Sequence, residues 1–148
     1  MRPDLPGLRL ELGQIYATTS DWDKAENEFR EETKLQPGNP EAAYRLGRVL
    51  VEEGKMGEAA RELRRSDQLR PDMPETLYSL GQAESLSDPP GAERALTRVI
   101  QLEKETPLAG RAYLALAAVH RKQGKTEDAA RDMDEFRRIQ ALASHLPE

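Results

Sequence analysis

The chain has 148 residues, enough for one ordinary domain or one run of repeats, and can bury roughly two-thirds of its unfolded surface. Its 22 lysines and arginines against 27 aspartates and glutamates give a net charge of −5, which argues against a dedicated nucleic-acid binder, because phosphate contacts need a basic footprint. Zero cysteines exclude disulfides, thiolate zinc sites and cysteine nucleophiles, two histidines leave little for a histidine metal site, and 33% charge with 37% hydrophobic residues describes a water-covered chain with a lean core.

From Leu8 onward the apolar residues fall at helical spacing, with Leu8, Leu12, Ile15 and Tyr16 making one face. Thr18-Thr19-Ser20-Asp21 is turn chemistry. Beyond it Trp22, Ala25 and Phe29, with Leu35, make the face of a second helix, which Pro37 ends because proline cannot continue the backbone ladder. Asn39-Pro40-Glu41 then reads as an N-cap, a proline in the first helical position and an acid favoured by the helix dipole.

The next helix pair repeats the first at a step of 34 residues: Leu12-Gly13 returns as Leu46-Gly47, Ala25 as Ala59, Leu35 as Leu69 and Pro37 as Pro71, around a turn at Glu53-Gly54-Lys55. Leu80-Gly81 stands another 34 residues on, and Pro6 has its equivalents in Pro40 and Pro74. The third pair turns at Ser87-Asp88-Pro89-Pro90-Gly91, and a longer linker runs from Glu103 to Pro107. A fourth unit keeps the same grammar at a shifted phase in Tyr113, Leu116, Ala117, His120, Gly124 and Ala129, with 36 residues separating Gly81 from Ala117. Its second helix takes Thr126 as N-cap and carries an apolar stripe through Met133, Phe136, Ile139, Leu142 and Leu146.

Small residues at Gly13 and Ala25 let two antiparallel helices approach, while Leu12, Tyr16 and Phe29 fill the space that remains. One such pair cannot bury its own apolar face, but stacked neighbours can. The expected architecture is therefore all-α, with four antiparallel helix-pair repeats over residues 6–39, 40–73, 74–109 and 110–143 and tails at 1–5 and 144–148. No stretch approaches the roughly 18 apolar residues of a membrane span, and Met1-Arg2-Pro3-Asp4-Leu5-Pro6 lacks the apolar core of a secretory signal. A chain that opens directly into patterned sequence and ends soon after a patterned helix reads as a segment of something longer. A cytoplasmic setting is the preferred expectation, and a periplasmic one follows if the parent protein is exported.

A helix pair of 34 residues with Leu-Gly, an aromatic three residues after the glycine, a central alanine, an aromatic four later and a terminal proline resembles the tetratricopeptide repeat. The first unit matches best, through Leu12, Gly13, Tyr16, Ala25, Phe29 and Pro37, although Arg9 stands where the family has tryptophan and Glu32 where a small residue is usual. The second keeps Leu46, Gly47, Ala59 and Pro71 with Leu50 and Leu63 for aromatics, the third puts Glu84 at the aromatic position, and the fourth has Ala117 for the glycine. The resemblance implies a right-handed superhelical solenoid whose concave face, lined by the first helix of each repeat, binds peptides or extended segments. It places Gln14, Tyr44, Arg45, Arg48, Tyr78, Ser79, Gln82 and Arg111 in that groove, beside Leu10, Glu41, Glu75 and Leu114. Two tyrosines beside two arginines form its expected hot spot. The competing reading is that Arg45 and Arg48 are solvated charges paired with Glu41, Glu52 or Glu75. A subfamily similar to chaperone-docking domains grips a C-terminal carboxylate with asparagines, lysines and an arginine; the matching positions here, Leu10, Gln14, Arg45, Glu75 and Ser79, do not carry that set.

Catalytic readings fare poorly. His120 sits at a packing position and His145 in the tail, the scattered glutamates read as a solvated surface, and Gly54-Lys55-Met56-Gly57 lacks both the strand and the Gly-Lys-Ser/Thr sequence of a phosphate loop. The basic run Arg61, Arg64, Arg65 and Arg70 is interleaved with Glu58, Glu62 and Asp67, and Trp22 is read as packing between helices. The sequence thus predicts a non-catalytic interaction scaffold with a protein or peptide partner, no metal and no cofactor. The alternative is a self-association or spacer module, joined as a homo-oligomer through Met133, Phe136, Ile139 and Leu142 at the end of the last helix.

Overall fold

The computed structural model describes residues 5–145, so Leu146 of the last apolar stripe lies outside the described residues. Eight helices run in antiparallel pairs: α1 (Leu8–Thr18) with α2 (Trp22–Leu35), α3 (Pro40–Glu52) with α4 (Met56–Leu69), α5 (Pro74–Glu84) with α6 (Pro89–Leu102), and α7 (Pro107–Lys122) with α8 (Thr126–Ser144). The chain groups into two compact units, the first ending at Pro71 and the second beginning at Asp72. None of the described helices is long and apolar enough to cross a membrane.

In the first unit α1 packs on α2, α2 on α3 and α3 on α4. The glycine of each pair marks the closest approach. A Cβ on Gly47 would stand 2.5 Å from Leu63 Cγ, and one on Gly13 would overlap the Phe29 ring. Gly47→Ala is therefore expected to lower stability by about 1–3 kcal/mol, because Leu63 is completely buried and has no empty space to enter. A urea midpoint unchanged within error would refute this packing. The Glu53-Gly54-Lys55 turn forms as expected, with Gly54 at φ 77°, and Ser20, its equivalent one repeat earlier, adopts φ 59° without the freedom of a glycine. Asn39 caps α3, its Oδ1 accepting from the Glu41 amide at 2.9 Å, with Pro40 in the first helical position.

Glu32 is the surprise of this unit: a fully buried carboxylate at the position where a small residue was expected. Its Oε1 accepts from the Gly7 amide at 2.8 Å and from Gln36 Nε2. Gly7, at φ 91°, begins α1 with no side chain of its own to cap it, so α2 supplies the acceptor from 25 residues away. Two other expectations fail. Ile15 is 59% exposed and Leu35 is 42% exposed, so the packed faces are narrower than the apolar residues alone suggest.

In the second unit Leu77, Leu96, Val99, Leu108, Leu116 and Val119 make one core that joins α5, α6 and α7. A Cβ on Gly81 would lie 2.5 Å from Leu96 Cγ, which preserves the close approach of the earlier pairs. Pro89, Pro90 and Gly91 belong to the first turn of α6 and not to a turn between helices: Asp88 caps it by accepting from the Gly91 amide at 3.1 Å, and prolines are tolerated where amides have no helical partner. Thr126 likewise is the first residue of α8 and not its cap, which is Lys125, with no side-chain hydrogen bond. His120 is buried as expected, but it bonds as well as packs, with Nδ1 2.5 Å from Asp132 Oδ2 and Nε2 3.3 Å from Glu93 Oε1.

Candidate functional site

Within the first unit, α1 and α3 are the first helices of their pairs and touch directly, and α2 contacts both. They enclose a cavity of about 250 Å³. Ala17, Trp22, Phe29 and Val49 provide its apolar lining, and Gln14, Arg45, Arg48 and Glu52 its polar rim. The helical repeat explains the alignment: Arg45, Arg48 and Glu52 are three and four residues apart, so α3 presents them one above another.

Arg45 and Arg48 differ although they share that face. Arg45 is committed internally, Nε donating to Glu41 Oε1 at 2.7 Å and Nη1 donating to Gln14 Oε1, so it ties α3 to α1. Arg48 is exposed and makes no ion pair or hydrogen bond among the described residues. The pairing with Glu41 expected on the competing reading thus holds for Arg45, and the pairing of Arg48 with Glu52 does not form. Tyr44, expected to offer its ring to a partner, is only 9% exposed; it lies one turn before Gly47, on the packed side of α3.

Trp22 is the residue the sequence reading undervalued. It is half-buried, as a packing residue should be, and the same ring walls the cavity. It is the first residue of α2, where the chain has just turned back from α1.

In the second unit Tyr78 and Arg111 do come together, the guanidinium carbon standing 5.4 Å from the ring centroid, a contact worth about 0.5–1 kcal/mol at an exposed site. Gln82, one turn along α5, is exposed. Ser79 is not available to a partner: with Thr76 and Ala83 it forms a buried stripe at helical spacing along α5, whose small side chains suit the packing of α5 on α7.

The residues expected at a self-association edge also divide. Ile139 is buried, its Cγ2 standing 3.4 Å from where a Cβ on Gly110 would be, so it serves the α7–α8 contact and is not an open edge. Met133 and Phe136 are half-buried and Leu142 is exposed. Pro107, Gly110, Phe136, Ile139 and Leu142 line a second, largely apolar cavity of about 490 Å³ between the start of α7 and the end of α8. Some of the basic residues of α4 and α8 pair locally: Arg65 donates to Glu62 at 3.2 Å, and Arg138 pairs with Glu105 and Glu135, each at 2.9 Å.

The sequence profile of the tetratricopeptide repeat matches residues 10–74 and 75–144. No curated protein matches the sequence. Among solved structures, MamA 41-end from Desulfovibrio magneticus RS-1 is 20% identical with a TM-score of 0.86, over 94% of this chain and 77% of that one. YrrB, a TPR protein with an unusual peptide-binding site, is 19% identical with a TM-score of 0.81, over 90% and 68%. The first TPR of Spaghetti (RPAP3), bound to the HSP90 peptide SRMEEVD, is 18% identical with a TM-score of 0.74, over 79% and 91%. At these identities the likeness is one of fold.

Proposed function

The chain belongs to the tetratricopeptide repeat family, and from that premise we propose that it is a non-catalytic interaction module that takes an extended partner segment in the α1–α3 cleft of its first unit. One observation carries the reading: Arg48, an exposed cation without a partner among the described residues, stands at the rim of a cavity with an apolar lining. An unpaired guanidinium favours a carboxylate, which it can hold in bidentate geometry. The cavity beneath has room for a single apolar side chain. The ligand that fits is therefore an extended segment with an apolar residue near an acidic one. Peptide binding by YrrB and by the Spaghetti domain supports this use of the fold.

Selection from a random peptide display library on the full chain tests it. Enriched sequences should place Asp or Glu within a residue or two of Leu, Ile, Phe or Met. Arg48→Glu should weaken an enriched peptide at least tenfold, about 1.4 kcal/mol, by reversing the charge at the contact. No enrichment, or equal binding by the variant, would refute the site.

A second reading, self-association through the α7–α8 cavity, is favoured by the exposed Leu142 at its wall. It requires a solution mass that rises with concentration and a Leu142→Glu variant that stays monomeric. A constant monomer mass for the unaltered chain excludes it.

A further inference from the structure

Where α2 passes the turn between α3 and α4, six ionisable side chains of the first unit converge: Asp23, Glu26 and Arg30 from α2, and Glu53, Lys55 and Glu58 from the turn and the start of α4. Lys55 Nζ lies 2.8 Å from Glu26 Oε1 and 3.5 Å from Glu53 Oε2. Arg30 Nη2 stands 3.4 Å from Glu26 Oε1 and 2.6 Å from Glu58 Oε2. The Glu53 side chain is only 7% exposed, and its Oε1 has no hydrogen-bond partner.

Lys55 Nζ thus brings the Glu26 and Glu53 carboxyl groups side by side, and Asp23 also faces Glu53. Two ionised carboxylates so placed repel each other, and a proton on one of them removes that repulsion. The surroundings decide which. Burial raises the Glu26 carboxyl, but the hydrogen bond from Lys55, the neighbouring Glu53 and the charge of Arg30 outweigh it and hold Glu26 below the ordinary glutamate range. Glu53 has only the more distant Lys55; burial first, then the neighbouring Glu26, push it to about 7.

We infer that Glu26 and Glu53 form a proton-operated clamp between the first and second helix pairs, in which a proton on the buried Glu53 lets the α3–α4 turn rest against α2 beside Glu26 and its loss sets two buried carboxylates against each other. The clamp adjoins the cleft through the chain itself, since Trp22 precedes Asp23 and Glu52 precedes Glu53. An effect of pH on partner binding rests on the functional reading above; the clamp itself does not, and its test contains no partner.

The sign follows from linkage. The folded chain holds the Glu53 proton more tightly than the unfolded chain, so stability is fully present below the ordinary value of 4.5, falls as pH rises from there to about 7, and then levels. The full chain should show this fall in its urea midpoint between pH 5 and 8. Trp22, the only tryptophan in the sequence, should report it as a shift in native-state emission. Glu53→Gln should remove the fall and exceed the unaltered chain in midpoint at pH 8. Glu26→Gln, which removes the like charge, should move the emission transition down by at least one pH unit. Parallel midpoint curves for the unaltered chain and Glu53→Gln overturn the clamp. If that variant fails to fold, NMR titration of the Glu53 carboxyl in the unaltered chain decides: a value near 4.5 overturns the inference and one near 7 supports it.

Discussion

Replacing Phe29 with alanine should cost the first unit about 3–5 kcal/mol, a large share of the roughly 5–15 kcal/mol that holds a typical domain folded. The ring is 1% exposed, fills the space left by Gly13 on α1 and contributes to the lining of the α1–α3 cavity. Its loss therefore leaves a void at the point where the two helices approach most closely, and urea denaturation of the variant should show a clearly lowered midpoint. Phe29→Leu provides the control. Leucine already does the same work against Gly47, through Leu63, and against Gly81, through Leu96, so this change should cost less than about 1.5 kcal/mol. A Phe29→Ala variant as stable as Phe29→Leu would show that the glycine–aromatic contact does not organise the pair.

That contact was legible in the sequence because packing of this kind is periodic. Gly13, Gly47 and Gly81 recur at one step, and a helix–helix approach without a Cβ recurs with them. Long-range polar contacts have no period, which is why Glu32 looked like a departure from the family pattern when it is the cap of α1. Cap positions slipped for a related reason. Thr126 and Asp88 both have capping chemistry, but only Asp88 stands where the backbone leaves amides unpaired ahead of it.

The candidate site was only partly readable. Helical geometry gives the direction in which a side chain leaves its helix, and this placed Gln14, Arg45 and Arg48 on one cleft. It does not give the depth to which a neighbouring helix covers it, so Tyr44, Ser79 and Ile139 were expected at surfaces and are buried. Trp22 errs the other way, since an aromatic at the start of a helix can pack and still present one face to solvent.

The largest expected effect in the second unit comes from His120. The family resemblance puts an aromatic at this place in the repeat, so His120→Phe preserves the shape and removes only the bonding. The cost is set by what remains: Asp132, 9% exposed, loses the ring nitrogen 2.5 Å away, and Glu93 loses the one at 3.3 Å but keeps Lys125 at 3.0 Å. Stranding a buried carboxylate should cost about 3 kcal/mol or more at neutral pH. Burial already holds Asp132 above the usual aspartate range against the downward pull of His120. Without the histidine it rises further, so the folded variant binds a proton that its unfolded chain releases, and stability falls as pH rises above the ordinary value of 3.8. The penalty should therefore shrink on acidification. Adding Asp132→Leu to His120→Phe removes the stranded group and should recover most of the loss, giving a coupling of at least about 2 kcal/mol in a double-mutant cycle. Additive losses would mean that His120 holds α7 on α8 by shape alone, whereas strong coupling would establish the histidine–carboxylate bond as what fixes this last helix pair.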